Sequence, residues 1–423
     1  MNLEFSMFLQ VADSMTKSTL KTIIFISLIL FLSVFPRVWN LSEKPPIIVD
    51  EHANIRMLKE VIEKGEFDIT KFHWDFSKTI LSYYPTIFLF QILGPRNHLL
   101  ALRLTSVIFS LLALLPFYLI VKKLTDDKIA FITTLLFSYS YFFLQFSRVG
   151  WVDITSVITV GLYLFLFLNL GLRSLTKRSN FWIATSGIIS GLIFYAYRSG
   201  IIYITLSLFY LATSLYLKKV EFKRALKYLL IFISTFIITI TPWVIKTSQN
   251  LDKYNLRARV VDIRNVNIPY HGLTDKKDIY KYQITTSVKS WLLLESIDGG
   301  GSENPRYLPL KVPPLNILVR VSFWIGSLII ILNKKHFQKM YVWLLIILVT
   351  ILLGQVLTVD PPNGARALIA LPSYYIISSI TFSQVYVKSH KNKFVLAALI
   401  FLAFFFSIFD LYTYQLWMEW IRV

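Results

Sequence analysis

Cysteine is absent from the 423 residues, so disulfides and thiolate metal sites play no part in this chain. Acidic residues are few, with 24 Asp and Glu against 44 Lys and Arg and a formal net charge of +20. In a soluble protein that balance would suggest nucleic acid. Here the basic residues sit in short loops between apolar runs, so membrane topology explains them better and no nucleic-acid partner is expected. Low-complexity tracts and clear internal repeats are also missing. The first apolar run lacks a small-residue cleavage site and reads as an uncleaved first span.

What is abundant is apolar. Hydrophobic residues make up 55% of the chain and mean hydropathy is +0.58, where a soluble domain holds about 45–50%. The excess is concentrated in runs such as 22–35 and 394–409, close to the ~20 residues that cross a bilayer. Eleven spans are expected, at 22–39, 99–121, 128–146, 153–172, 181–197, 200–217, 226–246, 314–332, 340–358, 366–386 and 394–412. All must be helical, because lipid offers no partner to an open backbone. The expected fold class is therefore all-α, a polytopic bundle embedded in membrane lipid.

Charge sets the orientation. Lys122, Lys123 and Lys128, Arg173, Lys177 and Arg178, Lys218, Lys219, Lys223, Arg224 and Lys227, Lys334, Lys335 and Lys339, and Lys388, Lys391 and Lys393 fall in alternate short loops. The loops between them hold single arginines, Arg148, Arg198 and Arg366. By the positive-inside rule the lysine-rich loops are cytoplasmic. The apolar stretch 82–94 would invert every later loop if it spanned, so it is expected to lie flat on the outer surface. Two larger outer segments result, 40–98 and 247–313, the second with a turn-rich stretch at 298–305. Each is too small for a separate enzyme domain and large enough to cap a cavity. The chain divides into a module over 1–246, the outer loop 247–313 and C-terminal helices over 314–423.

Candidate chemistry gathers on the outer side. Asp50 and Glu51 open an amphipathic stretch, 51–64, ended by Gly65. Asp50 is either a helix N-cap, a base kept ionised by the helix dipole, or both. Asp153 follows Arg148 at the mouth of two spans, as a functional acid or as a structural partner of that arginine. Arg148, Arg198 and Arg366 could hold an anion or snorkel to lipid headgroups. His52, His73 and Asp75 with Asp50 could form an oxygen and nitrogen site for a divalent metal, although no spacing is a metal signature and no cofactor is assigned. Separated carboxylates and arginines on one face suit a reaction that deprotonates a nucleophile and releases a phosphate.

The Asp-Glu pair after a first span resembles the GT-C glycosyltransferases, most of all the protein O-mannosyltransferase and aminoarabinose-transferase-like families. The runs 93–124, 129–153, 304–326 and 361–379 are similar to their second and third spans, a later outer loop and a late Arg-containing turn. The resemblance implies a polyprenyl-phosphate-linked sugar donor, a glycan, lipid or protein acceptor, an inverting mechanism, and an extracytoplasmic site in the plasma membrane. It implies Asp50 as general base, Glu51 or Asp153 orienting the acceptor or sharing charge, and Arg148, Arg198 and Arg366 as candidates to hold the donor phosphate. The alternative is a transporter or flippase for a lipid-linked or anionic solute.

Overall fold

The computed structural model describes residues 2–69, 79–174, 177–249, 251–295 and 312–420. His73 and Asp75 and the turn-rich stretch 298–305 lie outside them. The described chain is helical throughout: α1 (Asn2–Val38), α2 (Val49–Lys64), α3 (Tyr84–Leu93), α4 (His98–Leu124), α5 (Asp127–Tyr139), α6 (Tyr141–Arg148), α7 (Val152–Ser174), α8 (Lys177–Ala196), α9 (Ile201–Leu217), α10 (Phe222–Ser248), α11 (Leu251–Val261), α12 (Lys276–Trp291), α13 (Ile317–Leu332), α14 (Lys334–Ile351), α15 (Gly364–Ala367), α16 (Leu371–Lys388) and α17 (Lys393–Trp420).

Among the described residues, eight helical stretches are long and apolar enough to cross a membrane, and the α5–α6 pair, bent by 58°, makes a ninth when taken as one span. The chain is thus a multi-pass membrane protein. The other two expected spans are helices of a different character. α13 has 16 residues, about 24 Å at 1.5 Å per residue, short of the roughly 30 Å hydrocarbon core. α8 carries Ser179, Ser186, Gly187, Ser190 and Gly191, small residues that lower its hydropathy because they serve packing. A Cβ on Gly187 would meet the Phe232 carbonyl at 2.4 Å, and one on Gly191 would meet Thr239 Cβ at 2.6 Å. α8 therefore presses directly on α10, the close approach that small residues permit in membranes.

Ionic and polar groups, half-buried at one end and buried at the other, fix the bundle's two ends. At one end, Lys122 pairs with Asp127 at 2.9 Å, Thr22 donates to Asp127 at 3.2 Å, and Lys128 reaches the Tyr386 hydroxyl at 2.9 Å. Towards the other end, Arg37 of α1 is fully buried at the α5–α6 bend. It donates to the Ser138 carbonyl at 2.8 Å, to Ser110 Oγ at 3.0 Å and to the Ser33 carbonyl at 3.0 Å. The bend frees carbonyls that a straight helix would satisfy, and the guanidinium takes one of them. Far along the chain, Asn316 caps α13 and donates to buried Asp410 of α17 at 2.8 Å, which ties the last helix to the first turn of α13.

The segment 79–93 differs from its expected flat placement. The Thr86 hydroxyl donates to Thr105 Oγ1 at 2.8 Å, and the Phe90 and His98 rings lie 4.2 Å apart. Those pairings run antiparallel, so α3 stands against the first turns of α4, with the chain reversing at Gly94 (φ 75°). Apolar contact dictates this: Ile87 and Phe90 bury against Ala101 and Leu102 instead of facing the interface. The chain entering α3 is thereby carried down between α7 and α8, where Thr79 donates to the Tyr195 carbonyl at 2.6 Å and Ser156 to Ser82 at 2.9 Å.

Candidate active site

The site is assembled around α2. This helix starts two residues before the expected position and ends at Gly65 in the left-handed conformation (φ 65°), as its sequence signals. Ile48 occupies the N-cap position, so Asp50 is not the cap but lies in the first turn beside Glu51. Met57, Leu58 and Val61 bury one face against Ile80, Tyr83, Ala101, Leu102 and Val152. The opposite face carries exposed His52.

Glu51 is the anchor. It is fully buried and forms a two-pronged pair with Arg103 of α4, Nε to Oε1 at 2.7 Å and Nη2 to Oε2 at 2.8 Å. Oε1 also accepts from the Gly150 amide at 2.8 Å, and Oε2 from the Ile48 amide at 3.1 Å. Four donors saturate the roughly four lone-pair sites of a carboxylate. Arg103 Nη1 is taken by the Leu41 carbonyl at 2.9 Å. Glu51 therefore has no acceptor capacity left for a substrate, which corrects its expected role as a group that orients one.

Next to this anchor, Asn54 donates to the Gly150 carbonyl at 3.0 Å. The turn between α6 and α7 is thus gripped through both its amide and its carbonyl. Only glycine fits there, because a Cβ on Gly150 would lie 2.5 Å from Leu102 Cδ2 and 3.3 Å from Glu51 Cγ. Pinning α2 to this turn brings Asp50 to the first turn of α7, where buried Asp153 sits.

Tyr83 lies against the second acid. Its hydroxyl donates to Asp153 Oδ1 at 3.1 Å. Burial, then the charge of Asp153 and more weakly that of Asp50, hold the hydroxyl well above its ordinary range, so it remains a donor. Tyr197 immediately precedes Arg198, which is half-buried in the one-turn helix linking α8 to α9. Asp153 and Tyr83 are in contact, and Asp50 and Tyr197 lie near enough to act on the same hydroxyl. Chemically the neighbourhood offers two carboxylates and a phenol donor, with Arg198 next in the chain to Tyr197.

This architecture has solved counterparts. Residues 77–245 match the family model described as Dolichyl-phosphate-mannose-protein mannosyltransferase. That stretch is less than half of the chain and includes Asp153 and Arg198 but not Asp50. ArnT from Cupriavidus metallidurans in the apo state superposes with a TM-score of 0.54 at 12% identity, over 89% of this chain and 62% of that one. The archaeal oligosaccharyltransferase AglB from Archaeoglobus fulgidus, solved with an inhibitory peptide and a dolichol-phosphate, superposes with a TM-score of 0.56 at 15% identity, over 93% of this chain and 55% of that one. The chain shares the fold of these two membrane proteins.

At these identities the likeness is one of fold, and the chain spans 62% and 55% of the lengths of the two structures. No curated protein matches it.

Within this fold the three expected phosphate-binding arginines separate. Arg148 is 1% exposed. Its Nη2 donates to the carbonyls of Trp39 at 2.7 Å and Lys44 at 3.0 Å, and its Nη1 to the Pro36 carbonyl. It also lies over the Tyr414 ring at 5.7 Å. It closes the end of α1 rather than facing a ligand, and it does not pair with Asp153; both expectations are corrected, because a helix end offers carbonyls that a guanidinium fills. Arg366 directs Nη1 at Thr358 Oγ1 (2.8 Å) and the Val359 carbonyl (2.7 Å), strapping its own turn. Arg198 directly follows Tyr197, which lies near the Tyr83 hydroxyl.

Arg103 and Tyr83 were not singled out from the sequence. Arg103 is a lone charge in an apolar span, a signal for function or pairing in its own right. Tyr83 carries no comparable mark. Among the described residues no three His, Asp or Glu side chains gather to hold a metal.

Proposed function

We propose that this protein is a glycosyltransferase that moves a sugar from a polyprenyl-phosphate donor to an acceptor hydroxyl at the non-cytoplasmic face of the plasma membrane. The observation that carries the reading is the buried Tyr83–Asp153 hydrogen bond, with Asp50 near enough to act on the same hydroxyl. In AglB, a protein of the same fold, a dolichol-phosphate is bound, which supports a lipid-phosphate donor here.

In this mechanism the acceptor oxygen attacks the anomeric carbon as Asp50 removes its proton. The bond from that carbon to the phosphate oxygen breaks, and the polyprenyl phosphate leaves with the electron pair. Attack opposite the leaving group inverts the anomeric configuration. Asp153, held by Tyr83, orients the acceptor. Arg198, with Arg366 as the second candidate, stabilises the charge developing on the phosphate, an effect that grows where water is excluded. Glu51 acts through position: its pair with Arg103 fixes α2 and so aims Asp50. The lysine-rich helix ends lie opposite the acids, which supports the proposed sidedness.

The test uses purified protein in detergent with a panel of polyprenyl-phosphate hexoses and pentoses and a membrane extract as acceptor source. Release of polyprenyl phosphate with sugar transfer is expected for at least one donor. No release from any donor, with uptake of solute by reconstituted vesicles instead, would favour the transporter reading and reject this one.

A further inference from the structure

Away from the acids, a second set of chemically suited side chains meets on the outer segment. After α11 the chain pairs with the turn before α15: the Val359 amide donates to the Val261 carbonyl at 2.9 Å, and Ile263 to the Leu357 carbonyl at 3.3 Å. Ile263, Tyr270 and Ile279 form a small buried core with Leu273, Tyr282 and Val359 packed on it. On this base three rings cluster. His271 lies 4.3 Å from Tyr270 and 5.3 Å from Tyr282, centroid to centroid.

A carboxylate faces the rings. The Tyr270 hydroxyl accepts from the Asp360 amide at 2.7 Å and from Gln283 Nε2 at 3.0 Å, and donates to Asp360 Oδ1 at 3.4 Å. These bonds hold Asp360 in place while its side chain remains 49% exposed. His271 Nε2 stands 3.6 Å from the same carboxylate and is 28% exposed, too long for a hydrogen bond. Gln283, fully buried, has its Oε1 without a hydrogen-bond partner. His271 (φ 49°) and Asp360 (φ 57°) both occupy the left-handed region where glycine would be easiest. Side chains are kept there despite the backbone strain.

The acceptors outnumber the donors, and they sit beside flat apolar faces. A ligand that fits must bring hydroxyl donors on its edge and C–H groups on its face, and an anion would be repelled by Asp360. We propose that Tyr270, His271, Tyr282 and Asp360 form a carbohydrate subsite that takes one pyranose ring: Tyr282 and His271 stack on its face, and Asp360 accepts from adjacent hydroxyls. Asp360 and Arg366 belong to the same turn, since Arg366 binds the Val359 carbonyl. The ring is either the sugar of the donor or a residue of a glycan acceptor. Only that choice rests on the transferase reading; binding itself does not.

The experiment is saturation-transfer NMR on the full chain in detergent, with methyl α-mannopyranoside and a mannose trisaccharide as probes. Saturation of ring C–H protons is expected. At least a fivefold drop is expected in Asp360→Asn, which tolerates the left-handed conformation, and in Tyr282→Leu, which keeps the small core filled. Tyr282→Phe should bind as the native chain does. Equal saturation in Asp360→Asn, Tyr282→Leu and native protein overturns the proposal, as does no saturation at all. In transfer assays, a KM raised only for the lipid-linked sugar assigns the subsite to the donor, and one raised only for the acceptor assigns it to the acceptor. Binding without any transfer would sustain the subsite while rejecting the proposed enzyme.

Discussion

Glu51→Gln is the substitution whose outcome the geometry specifies most closely. The native carboxylate takes Arg103 Nε and the Gly150 amide on one oxygen, and Arg103 Nη2 and the Ile48 amide on the other. A carboxamide has one oxygen. Whichever way it is turned, its NH₂ faces two donors, and Arg103 is left buried without its counter-charge. Breaking a buried pair by neutralising one partner costs about 3–5 kcal/mol, a large share of the roughly 5–15 kcal/mol that holds a domain. The measurement is unfolding of the detergent-solubilised protein followed by intrinsic fluorescence. Glu51→Gln should unfold far more readily than the native chain, and transfer should fall in step with the folded fraction. The double variant Glu51→Leu with Arg103→Met removes both charges, and replacing a buried pair by apolar residues is often neutral or stabilising. It should therefore recover much of the lost stability. Native-like stability in Glu51→Gln alone would refute the saturated anchor.

Three further outcomes are expected. Gly150→Ala forces a methyl into Leu102 and Glu51 and should cost about 1–3 kcal/mol as overpacking, read by the same unfolding assay; no change would mean the turn is loose. Arg148→Lys, which cannot reach three carbonyls at once, should lower stability without raising the KM for a lipid-phosphate donor; a raised donor KM with unchanged stability would return Arg148 to the phosphate. Because the chain lacks cysteine, single thiols report sidedness cleanly. Val49→Cys, at a position 74% exposed, should react with an impermeant reagent from outside intact cells and Lys391→Cys should not; the reverse pattern would overturn the orientation.

The membrane helices were readable because burial in lipid demands long apolar runs, and the charge of their flanks followed the same physics. α8 and α13 are where that signal thins, one because helix contact favours small polar residues, the other because it is short. Asp50 stood out by its place after a span and at the head of an amphipathic helix. The roles of Glu51 and Arg148 did not, since each depends on partners distant in sequence: Arg103 and Gly150 for the first, the end of α1 for the second. A lone arginine at a helix mouth looks the same whether it awaits a phosphate or caps carbonyls. α3 was misplaced because the alternation of loop charges says whether a segment crosses, but not that Ala101 and Leu102 offer it a groove. Tyr83 was invisible for a related reason, as its partner Asp153 lies 70 residues on.

The account turns on Asp50 as the group that accepts the acceptor's proton. Transfer by Asp50→Asn, measured beside native protein at matched folded concentration, tests it most directly. The carboxamide keeps the shape of α2 and removes the base, so the rate should fall by at least ~100-fold, within the ~10²–10⁴ that a general base supplies, with unfolding unchanged. Turnover close to native in that variant would contradict the mechanism.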